Sequence, residues 1–204
     1  QLNSSTKFSD YAVLYRSNFQ SRVLEQAFRN YKIPYTISGG KSFFDKAEIK
    51  DIMAYLRLTI NEDDDSAFIR AITTPKRGIG ETTLDKLSTY AARREISLFE
   101  ALFEEGFAAV CNPVQLENVL DSGRFINDIQ ARQKYEPAGE LLTEILSAIK
   151  YEEYLYDSEE LKAAEKRYGN VLNFIEWMSK KGENDNKTLP ELTQTVALIT
   201  LLEG

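Results

Sequence analysis

The chain has 204 residues, an ordinary apolar content of 43% and a formal net charge of −7 at pH 7. It contains no histidine and a single cysteine, Cys111, which excludes imidazole catalysis, histidine or thiolate zinc sites and an internal disulfide. The negative charge excludes a protein that coats DNA through its overall field, so any nucleic-acid contact must come from a local patch. One thiol and the lack of a long apolar run predict a cytoplasmic protein without a membrane partner.

The first sixty residues predict a short βαβ unit. Residues 11–15 (YAVLY) have the β-branched and aromatic side chains of a buried strand, and Tyr35–Ser38 predict a second strand. The segment between them has apolar residues at helical spacing, so the two strands should be parallel. Because two parallel strands alone form a marginal sheet, we expect strands outside this sequence to complete it.

From about Ala47 onward the pattern predicts helices and no further strand, with the acidic turn Glu62–Asp65 as a domain boundary. The predicted fold class is α+β, predominantly α-helical, with a partial α/β domain over residues 1–60 and an all-α domain over residues 61–204. Residues 181–187 predict a polar, mobile loop. The helices expected in the second domain are Ser66–Ile72, Thr82–Arg94, Ser97–Phe103, Val114–Gln130, Pro137–Ile149, Ala163–Lys180 and Leu189–Leu202.

The stretch Thr73–Leu84 (TTPKRGIGETTL) predicts a tight turn that leads into a helix. Pro75 prevents the preceding helix from continuing. Gly78 and Gly80 flank Ile79, and their backbone can take positive φ and approach a ligand closely. A glycine turn at a helix N-terminus leaves free N–H groups and a partial positive charge, which suit a phosphate. Ile79 can pack in the core and hold the turn still.

Side chains around this turn carry charges or hydroxyl groups that suit nucleic acid. Residues 70–94 hold six basic residues against two acidic ones, a local surplus in an acidic chain. The candidate DNA-binding residues here are Thr74, Lys76, Arg77, Gly78, Ile79, Gly80, Thr82 and Thr83. The alternative is a proline–glycine loop between two helices with solvated charges, and the segment is neither a P-loop nor a dinucleotide fingerprint.

Three other segments invite a functional interpretation. Gly39, Gly40, Lys41 and Phe43 could hold a single strand by charge and stacking, although Phe43 and its aromatic neighbour can equally pack beneath the helix that follows. The polar run Arg16–Arg22 lies at the carboxyl end of the first predicted strand, where α/β sheets bind ligands, or it caps a helix. The six carboxylates of residues 152–165 predict a solvated helical face that would repel DNA.

Taken in order, these segments resemble the Rep/UvrD/PcrA family of superfamily 1 helicases, and its Rep branch most closely. The matching blocks are YAVLYRSNFQSRVLEQAF, IPYTISGGKSFFDKAEIKDIMAYLRL and DDDSAFIRAITTPKRGIGETTLDKL, over residues 11–28, 33–58 and 63–87. The resemblance implies that residues 1–60 belong to the RecA-like domain 2A and residues 61–204 to the helical domain 2B. It implies a motor that moves 3′ to 5′ along DNA, with the glycine turn touching the duplex and domain 2B regulating activity.

The resemblance also implies what this chain lacks. It has no phosphate loop, no acidic magnesium box and none of the family's later arginine fingers, so we expect no catalytic residue, metal or cofactor here. ATP and magnesium would act in the full-length protein. The expected partners are a single-strand/duplex DNA junction, domains 1A and 1B, the rest of domain 2A and replication proteins, at the bacterial nucleoid. The alternatives are a protein-interaction or autoinhibitory module, and a hydrolase for which no convincing carboxylate pair is present.

Overall fold

The computed structural model describes residues 7–15, 18–37 and 43–201, and the regular elements in these ranges are helices. Short 3₁₀ turns occupy Phe8–Asp10 and Phe43–Asp45. The α-helices are α1 (Asn18–Asn30), α2 (Ala47–Ile60), α3 (Asp65–Thr73), α4 (Glu81–Arg94), α5 (Leu98–Leu102), α6 (Glu105–Ala108), α7 (Pro113–Arg132), α8 (Ala138–Ala148), α9 (Tyr151–Ser158), α10 (Leu161–Asp185) and α11 (Leu189–Leu201).

The two strands of the predicted βαβ unit do not form in the described chain. Residues 11–15 have no strand assignment and are exposed, with 96% of Leu14 open to solvent, and residues 33–37 have no strand assignment either. A strand needs a neighbour to pair its N–H and C=O groups, and neither segment has one among the described residues. The intervening helix, α1, is present, and Ser38 lies outside the described residues.

Helix α2 is the centre of the core. Ile49, Ile52 and Leu56 are almost completely buried, and the helix packs against α3, α7, α10 and α11. A helix that is apolar around most of its circumference must be covered on most sides, which explains this central position. The domain boundary expected near residue 61 remains a prediction. In the structure, α2 and the helices that follow it share one hydrophobic core.

The N-termini of α3 and α5 carry side-chain caps. The Asp64 side chain accepts a hydrogen bond from the amide of Ala67 at 3.0 Å, and the Ser97 hydroxyl accepts one from the amide of Glu100 at 3.2 Å. The prediction of a loop at residues 181–187 is wrong over most of that range, because α10 continues to Asp185. An ion pair of 2.8 Å between Lys181 and Asp185, one turn apart, supports that extension.

Candidate nucleic-acid interface

The glycine turn, residues Lys76–Gly80, lies at the surface and leads directly into α4. Gly78 has φ 72°, as predicted, whereas Gly80 has φ −86° and is the N-cap residue of a helix that begins at Glu81. Both glycines are exposed. The amides of Thr83 and Leu84 bond the Gly80 carbonyl, but those from Gly78 to Thr82 donate no backbone hydrogen bond within the described chain. The turn therefore presents unused donors at the positive end of a helix dipole.

Packing holds the turn in place while leaving its outer face open. Ile79 is partly buried against the hydrophobic core, as predicted. A Cβ atom on Gly78 would lie 3.5 Å from Asn118 Nδ2 of α7, whereas one on Gly80 would meet nothing within 4 Å. The space in front of Gly80 is therefore free for a ligand to approach the backbone.

Arg77 does not extend toward solvent as a free phosphate contact, which corrects the role predicted for it. Its guanidinium lies over the Tyr55 ring, 5.3 Å from the centroid, donates to the Tyr55 hydroxyl and reaches Ser122 Oγ at 3.3 Å. The Tyr55 hydroxyl lies within 2.6 Å of the Ala71 carbonyl oxygen and 2.7 Å of the Thr74 carbonyl oxygen, to which it donates. Burial raises the pKa of Tyr55, so its hydroxyl stays protonated and keeps this role.

The threonines and the lysine of the segment take different positions. Lys76 and Thr82 are exposed beside the turn. Thr83 is buried, with its hydroxyl 3.4 Å from Gln115 Oε1 of α7, so the expected contact of its side chain with DNA is not available in this structure. Thr74 contributes its carbonyl group to the Tyr55 hydrogen bond.

The basic surplus of residues 70–94 is partly neutralised by the fold. Arg70 pairs with Asp51 at 2.8 Å, and Arg94 pairs with Glu104 at 3.0 Å. With Arg77 turned inward, three of the six cations remain. They form no ion pair within the described chain and are Lys76, Lys86 and Arg93.

The second candidate segment is not an exposed stacking platform. Phe43 is completely buried, and its ring lies edge-on to Phe44 with a centroid distance of 5.5 Å. A base can stack only on an exposed ring face, so the stacking role predicted for Phe43 is wrong here and the core-packing alternative holds. Gly39, Gly40 and Lys41 lie outside the described residues.

The remaining candidate segments show no assembled chemistry. Arg22, the last residue of the polar run, lies in α1, is buried and donates to the Asn173 carbonyl, so it joins α1 to α10. The described residues contain no group of three metal-ligating side chains, and no helix among them is long and apolar enough to cross a bilayer. Glu152 and Glu153 are exposed, in agreement with the prediction of a solvated acidic face.

Sequence reasoning missed the residues that support the turn from other helices. Tyr55 of α2 and Asn118 and Ser122 of α7 contact the turn or Arg77. A signal was available for Tyr55, since a tyrosine in an apolar helix requires a partner for its hydroxyl. No comparable signal marks the two α7 residues, because their relation to the turn depends on how α7 packs.

Comparison with known proteins identifies the family of the chain. The family model of the UvrD-like helicase C-terminal domain matches residues 1–204. The chain is 42% identical over 200 residues to the ATP-dependent DNA helicase Rep of Salmonella typhimurium and to that of Escherichia coli, covering 97% of this chain and 30% of each relative. It is 40% identical over 204 residues to the ATP-dependent DNA helicase PcrA of Bacillus subtilis, covering 98% of this chain and 27% of that protein. The chain thus spans less than a third of the length of these relatives, and it belongs to the UvrD-like helicase C-terminal domain family.

Proposed function

We propose that this chain is the duplex-contacting and regulatory part of an ATP-dependent 3′–5′ DNA helicase, and that the glycine turn binds a phosphodiester of the duplex. The observation that carries the proposal is the row of amides from Gly78 to Thr82, which have no acceptor among the described residues and lie next to an open Gly80 and to Lys76, which forms no ion pair there. Hydrogen bonds from such amides to an anionic oxygen are stronger than bonds between neutral groups. Relatives named as DNA helicases support the choice of DNA as the anion.

In this proposal the chemistry of ATP lies elsewhere in the enzyme. The sequence contains no Gly-x-x-x-x-Gly-Lys-Ser/Thr motif, the loop type that cradles nucleotide phosphates. ATP and magnesium would therefore bind to domain 1A and the rest of domain 2A, with domain 1B as a further partner in the same protein. The enzyme would act on replication and repair intermediates in the bacterial cytoplasm, at the nucleoid.

A second candidate function, a protein-interaction or autoinhibitory module, has one observation in its favour. An open groove of about 930 Å³ runs between α8 and α10, with Leu172 and Ile175 among its lining residues. Its lining also includes Glu140 and Glu183, and acidic residues favour a basic partner over DNA. DNA binding that is insensitive to every change at the glycine turn would favour this second candidate.

A substitution at Gly80 tests the proposal because it separates stability from DNA binding. In Gly80→Ser the hydroxyl can cap α4 by accepting from the Thr82 amide, which is one of those that we assign to the phosphate, and no neighbour obstructs the new side chain. We expect the free energy of unfolding to rise by a few tenths of a kcal/mol or stay unchanged. We expect the affinity for a fluorescent 3′-tailed duplex to fall by about tenfold, measured by anisotropy at low salt.

Gly169→Ala is the matched control. A Cβ atom on Gly169 would also meet nothing within 4 Å, but this glycine lies in α10, away from the turn. The change should stabilise the helix by up to about 1 kcal/mol and leave DNA affinity unchanged. The proposal fails if both variants bind the tailed duplex like the parent chain, or if both lose affinity equally.

A further inference from the structure

Helix α4 separates its exposed cations from its exposed carboxylates. Its buried face contains Thr83, Leu87 and Ala91. On one exposed side, residues at spacings of four, three and four positions form a continuous row, here named the α4 stripe. The stripe consists of Thr82, Lys86, Thr89 and Arg93. It offers two hydroxyl groups and two positive charges along one line of the helix.

The acidic residues of the same helix lie on a different side. Each residue advances the side-chain direction by about 100°, so the exposed Glu81 and Asp85 lie roughly 80–140° around the helix axis from Lys86 and Arg93. A polyanion held by these two cations would therefore lie on the side of the helix away from Glu81, while Asp85 borders the stripe beside its two threonines. The helix has the charge arrangement of a one-sided anion contact.

The charges of the stripe are available, whereas neighbouring cations are not. Lys86 and Arg93 form no ion pair within the described chain, but Arg94, one residue further on, is paired with Glu104. The nearby first turn of α7, which supplies Gln115 to Thr83, contains no acidic residue. The two cations of the stripe thus have no salt-bridge partner among the described residues.

We propose that the α4 stripe is a second contact for the phosphodiester backbone of the duplex arm, continuous with the glycine turn. The inference rests on the proposed function, and it adds residues that the turn alone does not include. Thr82 begins the stripe and also provides one of the unused amides of the turn. Lys86 and Arg93 are seven residues apart, about 10.5 Å along the helix. At about 3.4 Å of rise per nucleotide, the stripe follows one strand for about three nucleotides.

The test removes the two free charges and compares the result with removal of two paired charges. Lys86→Gln with Arg93→Gln is the test variant, and Arg94→Gln with Lys180→Gln is the control. Arg94 and Lys180 are both in ion pairs, Lys180 with Glu176 at 2.6 Å. Each variant removes two positive charges, so both change the net charge equally. We expect the test variant to bind the 3′-tailed duplex about tenfold more weakly at low salt. The slope of log affinity against log salt should become shallower by about two.

The control variant should lose less than about twofold and keep the parent salt slope. A test variant that behaves like this control overturns the inference. Because the four residues are exposed, unchanged circular dichroism and thermal midpoint should accompany the binding data. A single-stranded oligonucleotide of equal length should show a smaller loss than the duplex, and an equal loss would overturn the assignment to the duplex arm.

Gly80→Ser distinguishes failure of this inference from failure of the proposed function. If Gly80→Ser weakens binding while the stripe variant matches its control, the turn binds DNA and the stripe does not. If none of these variants affects binding, both the turn and the stripe lose their assigned roles.

Discussion

At the scale of single residues, Tyr55 links the core of the protein to the glycine turn. Its ring lies in the core of α2, and its hydroxyl joins the Thr74 carbonyl and the Arg77 guanidinium. These contacts fix the chain on both sides of Pro75, immediately before the exposed glycines. A backbone that is held in this way can offer its amides to a ligand without first losing conformational entropy.

We therefore predict that Tyr55→Phe destabilises the chain and loosens the turn. The change leaves the Arg77 guanidinium and two carbonyl groups without their shared partner, at a cost of about 1–3 kcal/mol. Urea unfolding measures this loss, and affinity for the tailed duplex should also fall. Tyr135→Phe is the control, because Tyr135 is 86% exposed. Equal behaviour of the two variants would mean that the Tyr55 hydroxyl has no positioning role.

At the scale of elements, α8 and α10 are in close contact at one point, where Gly139 of α8 meets Ser179 of α10. A Cβ atom on Gly139 would lie 2.3 Å from Ser179 Oγ and 2.7 Å from Ser179 Cβ. Distances this short cannot be accommodated without movement of one helix. Gly139 is thus required by packing, unlike Gly80, whose outer face is empty.

This contact predicts a specific rescue. Gly139→Ala should lower the free energy of unfolding by about 1–3 kcal/mol, because the added methyl group overlaps Ser179. Ser179→Gly removes the two overlapping atoms, so the double variant should recover part of that loss in a double-mutant cycle. Urea titrations with an unchanged m-value provide the measurement. Strictly additive effects would contradict the close approach of the two helices.

At the scale of the whole molecule, the local sequence pattern was sufficient to predict most of the helices. Local signals such as apolar periodicity predicted α3, α5 and α8 because they act within one or two turns of the chain. The strand predictions were wrong because strand formation depends on a pairing partner, which the pattern of residues 11–15 cannot reveal. The break between α9 and α10 and the extension of α10 to Asp185 were also missed.

The sequence likewise predicted only those parts of the candidate site that depend on local chain chemistry. Glycine and proline chemistry located the turn, since both residues act on the local backbone. The direction of Arg77 depends on Tyr55, 22 positions earlier in the chain, and on Ser122, 45 positions later. Burial of Phe43 likewise depends on distant partners, including Arg22 and the α10 aromatics packed on Phe44. Contacts of this range are set by tertiary packing, which residue spacing does not encode.

The central claim is that backbone amides of the glycine turn bind a phosphodiester. A titration of ¹⁵N-labelled chain with the 3′-tailed duplex, followed by amide chemical shifts, tests it most directly. We predict that the largest shifts occur at Gly78, Gly80, Glu81 and Thr82, whose amides have no acceptor within the described part of the chain. The amide chemical shift of Gly169 in α10 should not change. Largest shifts along the α8–α10 groove, with the turn unchanged, would contradict the claim.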